Sequence, residues 1–183
     1  MLKESDNPPI IWPEDSKPDD FEQKWWVIHT KSRNEKALAH DLISREVRYF
    51  LPMRWKVHHS RNRKLRSLVP LFNGYMFFCG EENDRIEVLK TNRAANLIEV
   101  FDQKKLVRQL SNIYKALASG ANIEPHQYIK EGQRCRVTSG PLKDMQGVVS
   151  RTANQAKLIL KIDMLGQAAC VEIDTDLLEI MDN

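Results

Sequence analysis

The hydrophobic pattern of the chain changes period several times. KWWVIHT, residues 24–30, is rich in β-formers and apolar on both faces, which predicts a central strand. Ser32-Arg33-Asn34-Glu35 then has the S-x-x-E form of a capping box, and a helix from about Arg33 to Glu46 follows with Ala39, Leu42 and Ile43 inward. VRYFLP predicts a short strand. In MRWKVHHS, Trp55 and Val57 alternate against Arg54, Lys56 and His58; residues 60–64 read as the tip of a hairpin that returns through 65–72 with one cationic face. The stretch PLFNGYMFF, Pro70 to Phe78, comes next. Pro70 suits a strand start or an edge, and Asn73-Gly74 allows a turn or bulge that re-aims the chain. Beyond it Tyr75, Phe77 and Cys79 point one way and Met76 and Phe78 the other. A strand apolar on both faces is usually buried, so plain sheet core accounts for each aromatic as well as a contact surface does.

Asn83 or Asp84 predicts the cap of a short helix with Ile86 and Leu89 inward, and NLIEVF, 96–101, a strand. From Lys105, Leu106, Leu110, Ile113 and Leu117 recur at helical spacing until Gly120 stops the run. Residues 23–119 therefore form an α+β block, a mainly antiparallel sheet with flanking helices. Residues 120–127, with Pro125, read as a linker. Residues 128–183 lose the helical period: RCRV, QGVVS, KLILKI and ACVEI alternate between turn residues, which predicts a small closed barrel.

Charge changes this picture. The formal net charge is only +3, but residues 23–119 hold 19 Lys/Arg against nine Asp/Glu. Residues 1–22 hold seven acidic residues against two basic ones and four of the eight prolines, and read as a flexible or loosely docked tail. Ile10, Ile11 and Trp12 are its one sticky patch. Between Glu46 and Glu81 no acidic residue occurs, while Arg48, Arg54, Lys56, Arg61, Arg63, Lys64 and Arg66 do. A run of this kind indicates a polyanion or an acidic protein surface as partner.

Cys79, Cys135 and Cys170 are odd in number, lack CxxC spacing and sit in strand-like runs, which indicates core thiols in a reducing compartment. No apolar run approaches ~18 residues, so no membrane-spanning helix is expected. No secretion signal is expected either, and the predicted location is the cytoplasm. The chain has no P-loop, no G-x-G-x-x-G, no G-x-S-x-G and no H-E-x-x-H. His58 and His59 are adjacent, so on a strand they face opposite sides and cannot chelate together. No enzyme activity, cofactor or metal is expected.

These residues resemble the NusG-like transcription elongation factors, over roughly 24–181. Lys24-Trp25-Trp26-Val27 is similar to the family's opening W-Y-V strand, Asn34-Glu35-Lys36 to its helix start and PLFNGYMFF to its P-L-F-P-G-Y-V-F strand. Arg93 falls at the family's arginine before the next strand, and EGQRCRVTSGPLKDMQGVV, 131–149, resembles the KOW motif. The resemblance implies a NusG N-terminal-type domain followed by an SH3-like KOW barrel. It implies that His29, Phe72, Tyr75 and Phe77 line a pocket for the tip of the RNA polymerase clamp helices. By the same resemblance Arg54, Lys56, Arg61, Arg63, Lys64 and Arg66 lie near upstream or non-template DNA. Leu165 sits where the family presents an apolar contact to a second partner, such as Rho or a small-subunit ribosomal protein.

Departures are also visible. Asn73 replaces the family's proline and Met76 its valine, while Leu97 to Phe101 and Arg85 to Val88 lack family features. The acidic tail is extra. Together these favour a specialised antiterminator, RfaH-like or UpxY-like, over a housekeeping factor, while the retained Gly140, Pro141 and Gly147 with alternating strands indicate a constitutive barrel. The rival reading is a ribosome-associated RNA-binding KOW protein, which accounts for the barrel and the charge but not for PLFNGYMFF.

Overall fold

Residues 6–60, 63–126, 132–152 and 155–181 are described by the computed structural model. The chain divides into two units, Met1–Val107 and Arg108–Asn183. The first holds β1 (Ile11–Trp12), β2 (Trp25–Thr30), α1 (Glu35–Ser44), β3 (Arg48–Phe50), β4 (Met53–Ser60), β5 (Arg63–Pro70), β6 (Tyr75–Cys79), α2 (Glu82–Lys90), β7 (Ala94–Glu99) and the start of α3 (Gln103–Ala118). The second holds the rest of α3, β8 (Ile123–His126), β9 (Gln133–Val137), β10 (Gln146–Thr152), β11 (Gln155–Ile162), β12 (Gln167–Ile173) and β13 (Leu178–Ile180). The boundary falls within α3, and β8 occupies the segment read from the sequence as a linker.

In the first unit a five-stranded sheet has the order β1-β3-β6-β2-β7 with every pairing antiparallel. The apolar strand β6 is central, as its two apolar faces require. Register explains both faces. Ile11, Phe50, Phe77, Val27 and Ile98 form one row across the sheet, and Trp12, Tyr49, Phe78, Trp26 and Glu99 form the row on the opposite face. Helices α1 and α2 cover that opposite face, where Leu38, Ala39, Leu42 and Val88 pack with Ile28, Tyr49, Met76 and Phe78. On the first face Trp25, Val27, Phe50 and Phe77 are also buried. The Gln103 side chain accepts from the Trp25 backbone N–H at 2.8 Å and donates to its carbonyl at 2.9 Å, which docks the start of α3 beside β2.

The N-terminal segment differs from its composition. Of the flexible and docked alternatives, residues 6–22 take the docked one: β1 adds to the sheet at the β3 edge, Leu51 N–H donates to Ile10 C=O at 2.7 Å, and the Tyr49 hydroxyl donates to Pro9 C=O at 2.9 Å. Ile11 is 2% exposed, and Pro8, Pro18 and Phe21 are buried. A strand of two residues has no readable period, and the acidic residues between these anchors stay in water, so composition alone indicates disorder. The capping box also fails to form: Asn34 precedes α1 with no side-chain cap, and Glu35 bonds elsewhere. On α2 it is Val88 that turns inward, whereas Ile86 and Leu89 are exposed.

In the second unit the sheet runs β13-β9-β10-β11-β12-β8, again antiparallel throughout. Among the described residues it is open, with no ladder joining β13 to β8. Val148, Ile159, Ala168 and Cys170 cluster in its core. At Gly147 there is no room for a side chain: a Cβ there would lie 2.6 Å from the Ile159 carbonyl oxygen.

Because Ile11 is buried at the sheet edge, Ile11→Ala should cost ~2–5 kcal/mol of stability. Thermal denaturation of the full chain measures this; an unchanged midpoint would mean that β1 is only loosely attached.

Candidate functional site

The corner between β5 and β6 positions everything around it. Leu71 N–H donates to Pro52 C=O at 2.8 Å and Tyr75 N–H to Phe72 C=O at 3.1 Å, and Leu71 and Phe72 are buried. Gly74 completes the turn at φ +80°, a left-handed conformation that only glycine adopts without strain. It is held on both sides. Its N–H donates to Glu35 Oε1 at 2.7 Å, and its C=O accepts from Thr30 N–H at 2.8 Å. Glu35 is 7% exposed, so its role is this backbone bond rather than surface charge. The neighbouring Lys36 donates to Asn7 Oδ1 and to Leu68 C=O, linking α1 to the N-terminal segment and to β5. Burial lowers its pKa from the ordinary lysine value, against the opposing pull of Glu35.

Directly after the corner, His29 and Tyr75 face each other in register. Their rings stack with centroids 5.0 Å apart at 24°. The His29 ring also lies against Gly74, 3.7 Å from where a Cβ would sit. His29 is exposed and Tyr75 half-buried, so the pair faces solvent. Phe77 lies on the same face but is fully buried and stacks on Phe50 at 6.4 Å. Of the four residues expected to line one pocket, the structure thus pairs His29 with Tyr75 at the surface and puts Phe72 and Phe77 inside. Asn96 was missed by sequence reasoning; it is exposed opposite His29 on β7, and only register could place it there. Arg93 donates to Asp41 Oδ2 at 2.6 Å and to Asn34 Oδ1 at 2.9 Å, tying the start of β7 to α1.

Strands β4 and β5 form a separate two-stranded ribbon. Register sets its faces: Trp55 pairs Leu68 and Val57 pairs Arg66, while Arg54 pairs Val69 and Lys56 pairs Ser67. The expectation of one cationic face is therefore corrected. Lys64 and Arg66 lie on the Trp55 and Val57 face, and Arg54 and Lys56 on the other, because residues paired across an antiparallel ladder share a face. Lys56, Lys64 and Arg66 are exposed; Arg54 is half-buried, with its Nε covered and unbonded among the described residues. Arg61 and the side chain of Arg63 lie outside the described residues. The Arg66 guanidinium sits over the Trp55 ring at 5.0 Å.

In the second unit Leu165 ends a short 3-10 turn, Asp163–Leu165, and is half-buried. Its neighbour Met164, which sequence reasoning missed, is 37% exposed and is the more accessible apolar residue there. The three cysteines are buried and none is in a disulfide, and burial pushes the Cys79 thiol up to about 12. Among the described residues no group of His, Cys, Asp or Glu could hold a metal ion. No helix of the described residues is long and apolar enough to cross a membrane.

A family model described as "Transcription termination factor nusG" matches residues 23–130. Among solved structures, a chain of the "MjSpt4:Spt5 complex conformation B" is similar at 15% identity, covering 87% of this chain and 97% of that chain, with a TM-score of 0.27. A search of curated proteins finds no match.

Glu35→Ala removes the acceptor of a part-buried N–H and should cost ~1–3 kcal/mol, with Glu35→Gln recovering most of it because an acceptor oxygen remains. Chemical denaturation of the two variants checks this; equal loss in both would assign the effect to the charge instead.

Proposed function

The chain belongs to the NusG family, the matched region being more than half of it, and on that premise we propose that it is an elongation factor that binds RNA polymerase and suppresses pausing and termination. The observation that carries this reading is the His29–Tyr75 pair, a stacked aromatic patch facing solvent at the end of a rigid central strand. The tip of the polymerase clamp helices is the proposed partner. It meets His29 and Tyr75, while Phe72 and Phe77 lie beneath and hold the strand that presents them. Upstream or non-template DNA is the proposed partner of the ribbon. The second unit is read as a KOW module of the SH3-like type, with Leu165 in the contact to Rho or a small-subunit ribosomal protein.

This is binding rather than catalysis. A factor with higher affinity for the closed clamp than for the open one shifts the polymerase toward the closed, elongating state. A specialised antiterminator is favoured over a housekeeping factor by Asn73 and Met76 in the corner and central strand, and by residues 6–22, which lie outside the matched region and extend the sheet. Copurification separates this reading from a ribosome-associated one: core polymerase is expected in the eluate, and ribosomal subunits alone would overturn it.

Tyr75→Ala should lower affinity for core polymerase by ~2 kcal/mol with little change in melting temperature. Phe77→Ala should instead cost ~3–5 kcal/mol of stability. Calorimetry and polymerase binding on both variants read the two effects, and a destabilised Tyr75→Ala with normal affinity would remove the pocket. For the ribbon, three or four phosphate contacts should give a slope of about −3 in log K against log salt on duplex DNA. Replacing Lys56, Lys64 and Arg66 by Ser should flatten it; an unchanged slope would place the nucleic-acid contact elsewhere.

A further inference from the structure

We propose that Gln109 on α3 is a positioning residue for the second-partner contact: paired with Asp163, it holds the Asp163–Gly166 turn so that Met164 and Leu165 are presented in one fixed geometry. The inference rests on the reading of Leu165 as a partner contact and adds to it the residue that sets the geometry. The turn joins β11 to β12, whose ladder ends at the pair Ile162 and Gln167. Residues 163–166 thus lie beyond the ladder. Gly166 N–H donates to Asp163 C=O at 3.1 Å, and Gly166 reverses the chain at φ 58°, in the left-handed region. That bond closes the turn on itself but does not fix its angle to the sheet.

Helix α3 supplies the second hold. Gln109 Nε2 donates to Asp163 Oδ2 at 3.0 Å, and Gln109 Oε1 accepts from Asp163 N–H at 3.3 Å. Only one orientation of the Gln109 amide satisfies both bonds, so the pair fixes the backbone and the side chain of the turn's first residue together. The helix is itself anchored further along. Asn112 Nδ2 donates to Gln146 C=O at 3.1 Å, and Lys115 Nζ donates to Lys143 C=O at 2.8 Å. Positions 109, 112 and 115 recur at three-residue spacing and so lie along one stripe of the helix. All of these residues belong to the second unit. Asn112 and Lys115 seat the helix, and Gln109 grips the turn. Met164 is 37% exposed and Leu165 half-buried, so the held turn offers an apolar contact to solvent. A contact loop that is free must be ordered when its partner binds, whereas a loop already held loses less freedom. Gln109 therefore contributes to affinity without touching the partner.

The test uses the full chain and two readouts: amide hydrogen exchange at Asp163 and Gly166 by NMR, and binding to purified small ribosomal subunits. Subunits are the probe because a factor that suppresses termination gains nothing from recruiting Rho. Gln109→Ala should speed exchange at both amides about fivefold or more, the factor for one net hydrogen bond lost. It should weaken subunit binding by about the same factor, since the competent turn is then populated less. Gln109→Glu alone sets two carboxylates against each other and should lose as much. Gln109→Glu combined with Asp163→Asn should recover both readouts, because the carboxylate at 109 then accepts from the backbone N–H and the side-chain amide at 163. Unchanged exchange in Gln109→Ala, or faster exchange with unchanged binding, would overturn the positioning role while the Leu165 reading stands. A loss that the double variant does not recover would overturn it as well. Failure of the unaltered chain to bind subunits would remove the Leu165 reading and this inference with it.

Discussion

Gly74 is the point on which the first unit depends. The chain leaves the ribbon at Pro70 and enters the central strand at Tyr75, and only a left-handed residue makes that corner. A corner alone would be loose. Here the same residue has its N–H fixed by Glu35 from α1 and its C=O fixed by Thr30 from the end of β2. Helix α1 and the central sheet therefore meet at one residue, and both of its backbone groups are satisfied there. The two candidate contact surfaces sit on either side of it. The aromatic pair begins at the next residue, and the ribbon ends four residues before.

That arrangement explains why two surfaces of different chemistry share one short stretch of chain. The His29–Tyr75 pair is set on strands hydrogen-bonded on both sides, so it is rigid and suits a desolvated, shape-selective contact. Among the described residues the ribbon's ladder joins only its own two strands, and it carries cations on both faces. It suits electrostatic contact with a partner whose position varies, where charge governs encounter more than affinity. The separation of roles follows from the sheet topology rather than from any one residue.

Much of this was legible in the sequence. The two apolar faces of PLFNGYMFF place β6 at the centre, and alternation assigns Tyr75 and Phe77 to one face. What alternation does not give is depth: both residues share a face, yet one lies at its open end and the other at its buried middle, because depth comes from neighbouring strands. The ribbon's faces failed for the same reason. Alternation along β4 alone placed Arg54 and Lys56 opposite Trp55, but the register with β5 brings Arg66 and Lys64 round to the Trp55 side. Glu35 was read as a local cap because S-x-x-E is a local signal, whereas its partner is Gly74, far away in sequence. How the N-terminal segment docks is not legible in the sequence, because its two-residue strand gains stability from an existing sheet edge, which composition cannot show.

The central claim is that the solvent-facing aromatic pair beside Gly74 touches RNA polymerase. Site-specific photocrosslinking tests it most directly, with p-benzoylphenylalanine placed at position 75 in the full chain and core polymerase as target. The account predicts an adduct from that position mapping to the clamp helices. A protein that still copurifies with polymerase but gives no polymerase adduct from position 75 would contradict it.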